Sequence, residues 1–235
     1  MNPDYLFFIA AQDASGQTTV ACNLGAAMKE RGRKPLVVSL YENQRLLFWN
    51  DIPSASRLPA GNSQTIVPGK GKLPDFLIFP FEKESSFARL PEILSTLAYD
   101  CFLILTGNTL AHFPASLPET IPPKSRFLLC TTLENPDDSH IIQDFLLIFR
   151  QKTGREIDLL IPNKLQVREW ENNSRQLMEL GEELGYEKMV DMLPECSRIR
   201  ELPLDHKTVW EVPVDQMRFA FTKLLDQIEA FLTEE

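Results

Sequence analysis

Residues 16–19 have the residue types of a phosphate-binding loop. They are Gly16, Gln17, Thr18 and Thr19, and they follow an apolar run and precede a helix-like pattern. Backbone N–H groups at the start of a helix favour an anion, and a threonine hydroxyl there can bind a nucleotide-bound magnesium ion. However, Gln17 can donate a hydrogen bond but brings no charge to a phosphate. The layout is that of a phosphate-binding loop, whereas most of the residues that would hold phosphate are absent.

Two interpretations of this loop stay open on the sequence. In the first, the loop is a residual nucleotide or anion site, because the N–H groups and the dipole of a helix N-terminus favour negative charge. In the second, Thr18 or Thr19 caps the helix and Gly16 only makes the turn. The two interpretations predict different roles for the same hydroxyl groups.

Alternating strand and helix patterns surround the loop. Continuous apolar runs predict strands at 6–11, 35–40, 74–79, 101–105, 126–131 and 157–162. Helical periodicity predicts helices at 18–31, 85–98, 138–151, 174–184 and 214–232, the fourth of them capped by Ser174. This alternation predicts one α/β domain over residues 1–235. Its fold should be doubly wound and P-loop NTPase-like, a mainly parallel sheet with helices on both faces.

Two segments allow more than one interpretation. Residues 41–72 are a long excursion with one short helix, and the apolar group around Trp49 is either a partner-binding patch or a lid folded on the core. The last predicted helix has an apolar side and an acidic end, Glu234-Glu235. Because acidic residues are repelled by anionic lipid, we expect that helix to pack on the core and not on a membrane.

Composition narrows the classes of function. The net charge is −9 and the pI is about 5.0, which argues against DNA binding through a basic surface. The four cysteines contain no C-x-x-C motif, and no histidine lies at metal-ligand spacing, so we expect buried thiols and no metal site. No apolar run is long enough for a membrane span, and a cytoplasmic protein is expected.

The order and spacing of several short motifs resemble the ParA/MinD-type P-loop family, the deviant Walker A group. These motifs are GQTT at 16–19, Asn23-Leu24, YDC at 99–101 with Leu105-Thr106, IPNK at 161–164, and the run LPE at 193–195 to KTV at 207–209. The resemblance covers essentially the whole chain. It implies ATP or ADP as cofactor, with Asn163 at the adenine edge. It also implies a homodimer around nucleotide and a role in positioning through protein partners.

The departures from the family pattern fall on its catalytic positions. The resemblance places the P-loop lysine at Gln17, the signature lysine at Gln12 and the Walker B acid at Leu105, and two loop glycines are Asp13 and Ala14. A lysine about 4 Å from a phosphate charge contributes roughly 4 kcal/mol at an effective dielectric constant of 20. Losing that contribution weakens binding about a thousandfold. Hydrolysis loses more, because it also needs a held Mg²⁺.

The sequence therefore predicts a degenerate member of this fold that binds a protein partner and does not hydrolyse ATP. No catalytic residue, no metal ligand and no bound cofactor is predicted, with ATP or ADP as the alternative. The residual site would consist of Gly16, Gln17, Thr18, Thr19 and Asn163, although Asn163 could equally do no more than end its strand. The alternative is a nucleotide-dependent ATPase switch of the ParA/MinD type.

Overall fold

A computed structural model describes residues 3–41, 43–52, 66–78, 90–107, 121–122 and 124–233. Its described strands form one seven-stranded parallel sheet in the order β3-β2-β4-β1-β5-β6-β7. The strands are β1 (Asp4–Ala10), β2 (Pro35–Ser39), β3 (Asp75–Ile78), β4 (Cys101–Leu105), β5 (Ser125–Thr131), β6 (Leu159–Leu165) and β7 (Leu193–Pro194). The prediction of a parallel sheet is confirmed.

The described α-helices connect these strands. They are α1 (Gln17–Glu30), α2 (Gln44–Trp49), α3 (Leu90–Ser95), α4 (Asp138–Thr153), α5 (Trp170–Leu184), α6 (Ser197–Asp205) and α7 (Asp215–Thr233). The predicted start of the third helix, near residue 85, lies outside the described residues, as does most of the predicted excursion beyond residue 52.

Both faces of the sheet are covered by helices, as the sequence predicts. Side chains of β1 alternate between two hydrophobic clusters. Leu6 and Phe8 pack with residues of α1 and α7. Tyr5 and Phe7 pack on the opposite face with residues of α3, α4 and α5. Because both faces of β1 are buried, its sequence is a continuous apolar run and not an alternating one.

One helix begins well before its predicted start, and one helix was not predicted. Helix α5 begins at Trp170, because the 3₁₀ turn Val167–Glu169 leads directly into it. Ser174 consequently lies inside the helix, and its predicted role as a cap is wrong. Helix α6 was not predicted from the sequence, because it is short and contains Pro203.

The last helix packs against the sheet. The buried residues of α7 are Met217, Phe221, Leu224, Leu225 and Ile228. They belong to the same cluster as Leu6 and Phe8, so the prediction of a core-packing helix is confirmed. Among the described residues, no helix has the length and apolar character that crossing a bilayer requires.

Candidate functional site

The candidate loop connects the carboxyl end of β1 to the start of α1. Ala14 and Gly16 both have positive φ angles, 56° and 91°. Gly16 is the N-cap of α1, and no side chain accepts a capping hydrogen bond there. Thr18 and Thr19 lie inside the helix, so the interpretation that one of them caps it is wrong. The N–H groups of the first helical turn have no intrahelical acceptor, which leaves this end of α1 suitable for an anion.

Gly16 is required by a close approach between the loop and β6. A Cβ at position 16 would overlap the side-chain amide Nδ2 of Asn163. That amide donates to the backbone oxygen of Ser15 over 2.8 Å, in a buried setting. The hydrogen bond joins residues that are far apart in sequence. Asn163 therefore holds the loop itself, and its amide nitrogen is already committed.

Lys164 provides a second connection from β6 to the loop. Its ammonium group donates to the backbone oxygen of Ala14. Burial lowers the pKa of the Lys164 ammonium, and Glu134 opposes this effect. Asn163 and Lys164 thus contact the successive carbonyl groups of Ser15 and Ala14. The structure places a cation at this loop that does not come from α1.

Both positions that the resemblance assigns to lysines hold glutamines, and each glutamine is bound by a neighbouring strand end. Gln17 is only 4% exposed, and its Nε2 donates to the backbone oxygen of Gly107 over 3.3 Å, just after β4. Gln12 accepts from the hydroxyl groups of Thr131 and Thr132, at the end of β5, over 3.3 and 3.4 Å. Neither side chain brings a charge to the loop.

The hydroxyl group of Thr18 has a partner within the chain. It accepts a hydrogen bond of 2.9 Å from Nδ2 of Asn43, and the same amide nitrogen donates to the Tyr41 hydroxyl over 3.1 Å. Asn43 in turn caps α2, since its Oδ1 accepts from the N–H of Leu46 over 3.0 Å. Burial raises the pKa of the Tyr41 phenol, which stays neutral at physiological pH. The group that would ligate magnesium in a P-loop is held by the Asn43 amide instead.

The remaining motif residues of α1 have structural contacts. Thr19 is buried, and its backbone oxygen accepts from Nδ2 of Asn23 over 2.8 Å. Oδ1 of Asn23 accepts from the N–H of Val209 over 2.8 Å, and the backbone oxygen of Asn23 accepts from Trp210 over 3.0 Å. Asn23 therefore joins α1 to the turn that precedes α7.

The position that the resemblance assigns to the Walker B acid holds an uncharged residue. Leu105, at the Walker B position, is fully buried in the core. Ser39, at the end of β2, donates to the backbone oxygen of Tyr41 over 2.9 Å. Asp13 is exposed on the loop. Asp100 lies at the other end of the sheet, where both of its carboxylate oxygens accept from the N–H of Lys34 over 3.1 Å.

The structure brings together all five residues of the predicted site. Gly16, Gln17, Thr18, Thr19 and Asn163 lie around one loop at the carboxyl ends of the strands, where ligands bind in folds of this type. Among the described residues, no group of three or more His, Cys, Asp or Glu side chains is placed to hold a metal ion.

Sequence reasoning missed the residues that contact the loop from elsewhere. These are Asn43, Gly107, Thr131, Thr132 and Lys164. Asn43 carries a local signal, because an asparagine before a helical pattern is a common N-cap. Lys164 belongs to the IPNK motif at 161–164, but its contact with the loop was not predicted.

The fold is the one that MinD- and ParA-type P-loop ATPases share, as comparison with solved structures shows. No protein-family model matches the sequence, and no curated protein is significantly similar to it in sequence. MinD in the MinC:MinD cell division complex of Aquifex aeolicus matches with a TM-score of 0.67 and 14% identity, over 98% of this chain and 96% of that one.

Two further structures extend the comparison. A putative plasmid partition protein of Borrelia burgdorferi B31, bound to AMPPNP, matches with a TM-score of 0.68 and 14% identity, over 97% of this chain and 99% of that one. Cobyrinic acid a,c-diamide synthase of Mycobacterium smegmatis, with an ATP analogue and magnesium, matches with a TM-score of 0.70 and 13% identity, over 100% of this chain and 96% of that one. At these identities the likeness establishes a fold and not an activity.

Proposed function

We propose that this chain is a MinD/ParA-like protein that binds a protein partner and does not hydrolyse ATP. Residues 1–235 would act as one domain whose phosphate loop is retained as architecture. The main support for this proposal comes from Gln17, which stands where a P-loop has its lysine. Its side chain is buried and donates a hydrogen bond to the backbone oxygen of Gly107. The cellular role would be in intracellular positioning or partitioning, or in assembling a larger machine.

The contacts of the other loop residues support this proposal. The Thr18 hydroxyl accepts a hydrogen bond from Asn43, and the apolar Leu105 stands where the resemblance places the acid that would support a magnesium ion. Phosphoryl transfer depends on positive charge and on a metal ion around the transferred phosphate. Without the P-loop lysine the loop loses about 4 kcal/mol of attraction for each phosphate charge.

An ATPase assay tests the proposal. Phosphate release from Mg·ATP should stay at the level of a no-enzyme control, and Gln17→Ala and Thr18→Ala should leave it there. Hydrolysis by the wild-type protein that either substitution abolishes would show that the proposal is wrong. The double variant Asp13→Gly/Gln17→Lys, which restores the loop glycine and lysine, should bind ATP up to about a thousandfold more tightly than wild type. It should still not hydrolyse ATP, because Leu105 supplies no acid.

A second candidate function is a nucleotide-dependent switch with an unorthodox loop. It is favoured by the free N-terminus of α1, which has no side-chain cap and no acidic residue in its first turn. The ammonium group of Lys164 adds a positive charge beside Ala14. ATP or ADP would then bind at Gly16, Gln17, Thr18 and Thr19, next to Asn163.

Calorimetry separates the two candidates. The switch predicts heat of binding at micromolar ATP or ADP, and it predicts that Lys164→Gln weakens this binding about tenfold or more, since a charged contact is lost. Arg168→Gln is the matched control, because Arg168 is exposed and its guanidinium bonds only to Gln166 in the described part of the chain. Absence of heat and of any thermal shift at millimolar nucleotide rules the switch out.

The proposal extends to location and assembly. All four cysteines are free thiols, as is usual in a reducing compartment, which supports a cytoplasmic location. A homodimer, if formed, would use contacts other than a shared nucleotide. The net charge of −9 supports a protein partner over DNA and over anionic membranes.

A further inference from the structure

One side of α5 presents large apolar side chains to solvent. Trp170 and Met178 are 55% and 58% exposed, and they lie two helical turns apart on the same side. Together with neighbouring polar residues of α5 they line a groove of about 490 Å³. Contiguous exposed apolar patches with a polar border mark protein-interaction surfaces.

Tyr186 extends the same surface beyond the helix. Its ring lies against Gly181, where an added Cβ would come within 2.9 Å of the ring carbon Cζ. Its hydroxyl donates to the backbone oxygen of Met178 over 3.4 Å, and the side chain is 58% exposed. The apolar strip from Trp170 to Gly181 is about 16 Å long at 1.5 Å per residue.

The border of this strip is acidic. Helix α5 contains four glutamates and one arginine, Arg175. Arg175 is occupied within the chain, since it bonds to Glu179 over 3.0 Å and to the backbone oxygen of Pro136 over 2.9 Å. In the part of the chain that the structure describes, Glu171 and Glu182 form no ion pair. These two lie three turns apart, so both face the groove, where they leave uncompensated negative charge.

We propose that this α5 groove, defined by Trp170, Met178, Glu171 and Glu182, docks a basic amphipathic helix of a protein partner. The partner helix would bury its apolar residues on Trp170 and Met178 and place lysine or arginine beside the two glutamates. This is the helix-in-groove mode of recognition. The inference rests on the proposed function, which assumes a protein partner. It names the surface that binds this partner and the chemistry of the partner's helix.

Charge excludes the other occupants of the groove. A second copy of the chain would bring the same glutamates together, and Arg175 is already paired and does not neutralise them. Anionic lipid and nucleic acid would be repelled in the same way. A basic helix satisfies the two glutamates and covers the apolar strip at the same time.

Binding of synthetic peptides tests the inference directly. The probe is a leucine/lysine amphipathic peptide of about five helical turns, and the control is a leucine/glutamate peptide with the same apolar pattern. Trp170 reports binding through its fluorescence, because it is exposed whereas Trp49 is fully buried. The lysine peptide should bind and shift this emission to shorter wavelength, and the glutamate peptide should not.

Matched variants locate the binding site. Glu171→Lys/Glu182→Lys should weaken the lysine peptide about tenfold or more and allow the glutamate peptide to bind. Asp144→Lys/Glu183→Lys makes the same change in net charge at exposed positions that do not line the groove, and it should alter affinity less than about twofold.

Two substitutions of apolar residues, one in the groove and one outside it, provide a second comparison of the same kind. Met178→Ser should also weaken the lysine peptide about tenfold, as expected for an anchor residue at an interface. Leu147→Ser, at a leucine of α4 that is 56% exposed, should have no effect. Unchanged circular dichroism and urea unfolding establish that each variant is folded before binding is compared.

Three outcomes would overturn the inference. They are equal binding of both peptides, equal effects of groove and control variants, and a self-association of the free protein that Met178→Ser dissociates in sedimentation. The last would assign the groove to a second copy. None of these measurements involves ATP, so their failure would not contradict the proposed absence of hydrolysis. Conversely, an observed ATPase activity would contradict the absence of hydrolysis but not the docking of a basic helix in the α5 groove.

Discussion

At the scale of single residues, the loop after β1 is held by side chains that come from other strands. Asn163 and Lys164 bond to the backbone oxygens of Ser15 and Ala14, and Gln17 bonds to Gly107. In a nucleotide-binding loop, charge on the protein faces the phosphates. In this loop the side chains of Gln17 and Asn163 bond to backbone groups of the protein itself. These contacts support the proposal that the loop has a structural role and not a nucleotide-binding one.

The contact between Gly16 and Asn163 gives a stability prediction. Gly16→Ala should destabilise the fold by about 3 kcal/mol. The alanine would have to adopt the positive φ of 91°, and its methyl group would overlap the Asn163 amide. Urea unfolding with a constant m-value measures the change.

Gly32 supplies the matched control for that substitution. Its φ is 82°, and nothing lies within 4 Å of a Cβ built there. Gly32→Ala should therefore cost only the backbone strain, about 1 kcal/mol. In an Asn163→Ala background, the cost of Gly16→Ala should fall to the same value. Equal costs for the two glycine substitutions in the wild-type background would refute the close contact.

At the scale of elements, α1 is fixed at both its beginning and its middle. Its first turn lies under the loop, and its buried Asn23 reaches the turn before α7. The motif residue that the resemblance places after the phosphate loop thus connects two helices on one face of the sheet. This role does not depend on a nucleotide.

Asn23 allows a prediction about this connection. Asn23→Ala should lower the free energy of unfolding by about 3 kcal/mol, because the N–H of Val209 and the backbone oxygen of Thr19 both lose a buried partner. Asn172→Ala, on α5, should cost less than about 0.5 kcal/mol, since the Asn172 side chain contacts the exposed Arg175. A loss below about 1 kcal/mol for Asn23→Ala would mean that the connection contributes little to stability.

At the scale of the whole molecule, the chain combines the fold of MinD- and ParA-type ATPases with a loop in which Gln12 and Gln17 bring no charge. Solved proteins of this fold include a cell division protein, a plasmid partition protein and a synthase. The fold therefore does not decide the activity. The side chains around the loop and on α5 carry the functional argument.

Sedimentation tests whether self-association of the protein depends on nucleotide. The sedimentation coefficient should be the same without nucleotide, with Mg·ADP and with Mg·ATP, because no nucleotide is expected to bridge two copies. Melting temperature should be equally insensitive, since only a bound ligand stabilises a fold by mass action. An ATP-dependent dimer would contradict both the expectation and the proposed function.

The sequence predicted much of the fold because the relevant signals are local. Apolar runs identified β1 and β4, and helical periodicity identified α1 and α7 within a few residues. The start of α5 was wrong by four residues, since the 3₁₀ turn Val167–Glu169 continues into it without the predicted cap. Helix limits depend on such turns, which leave a weak pattern in the sequence.

The residue types at positions 12, 13, 14, 17 and 105 by themselves carried the prediction that this chain does not hydrolyse ATP. The tertiary structure alone decided where the loop side chains go and which surface of α5 stays open. The bond from Asn163 to Ser15 spans 148 residues, so no local pattern predicts it. Exposure of Trp170 likewise depends on which side of α5 the sheet covers, and packing sets that.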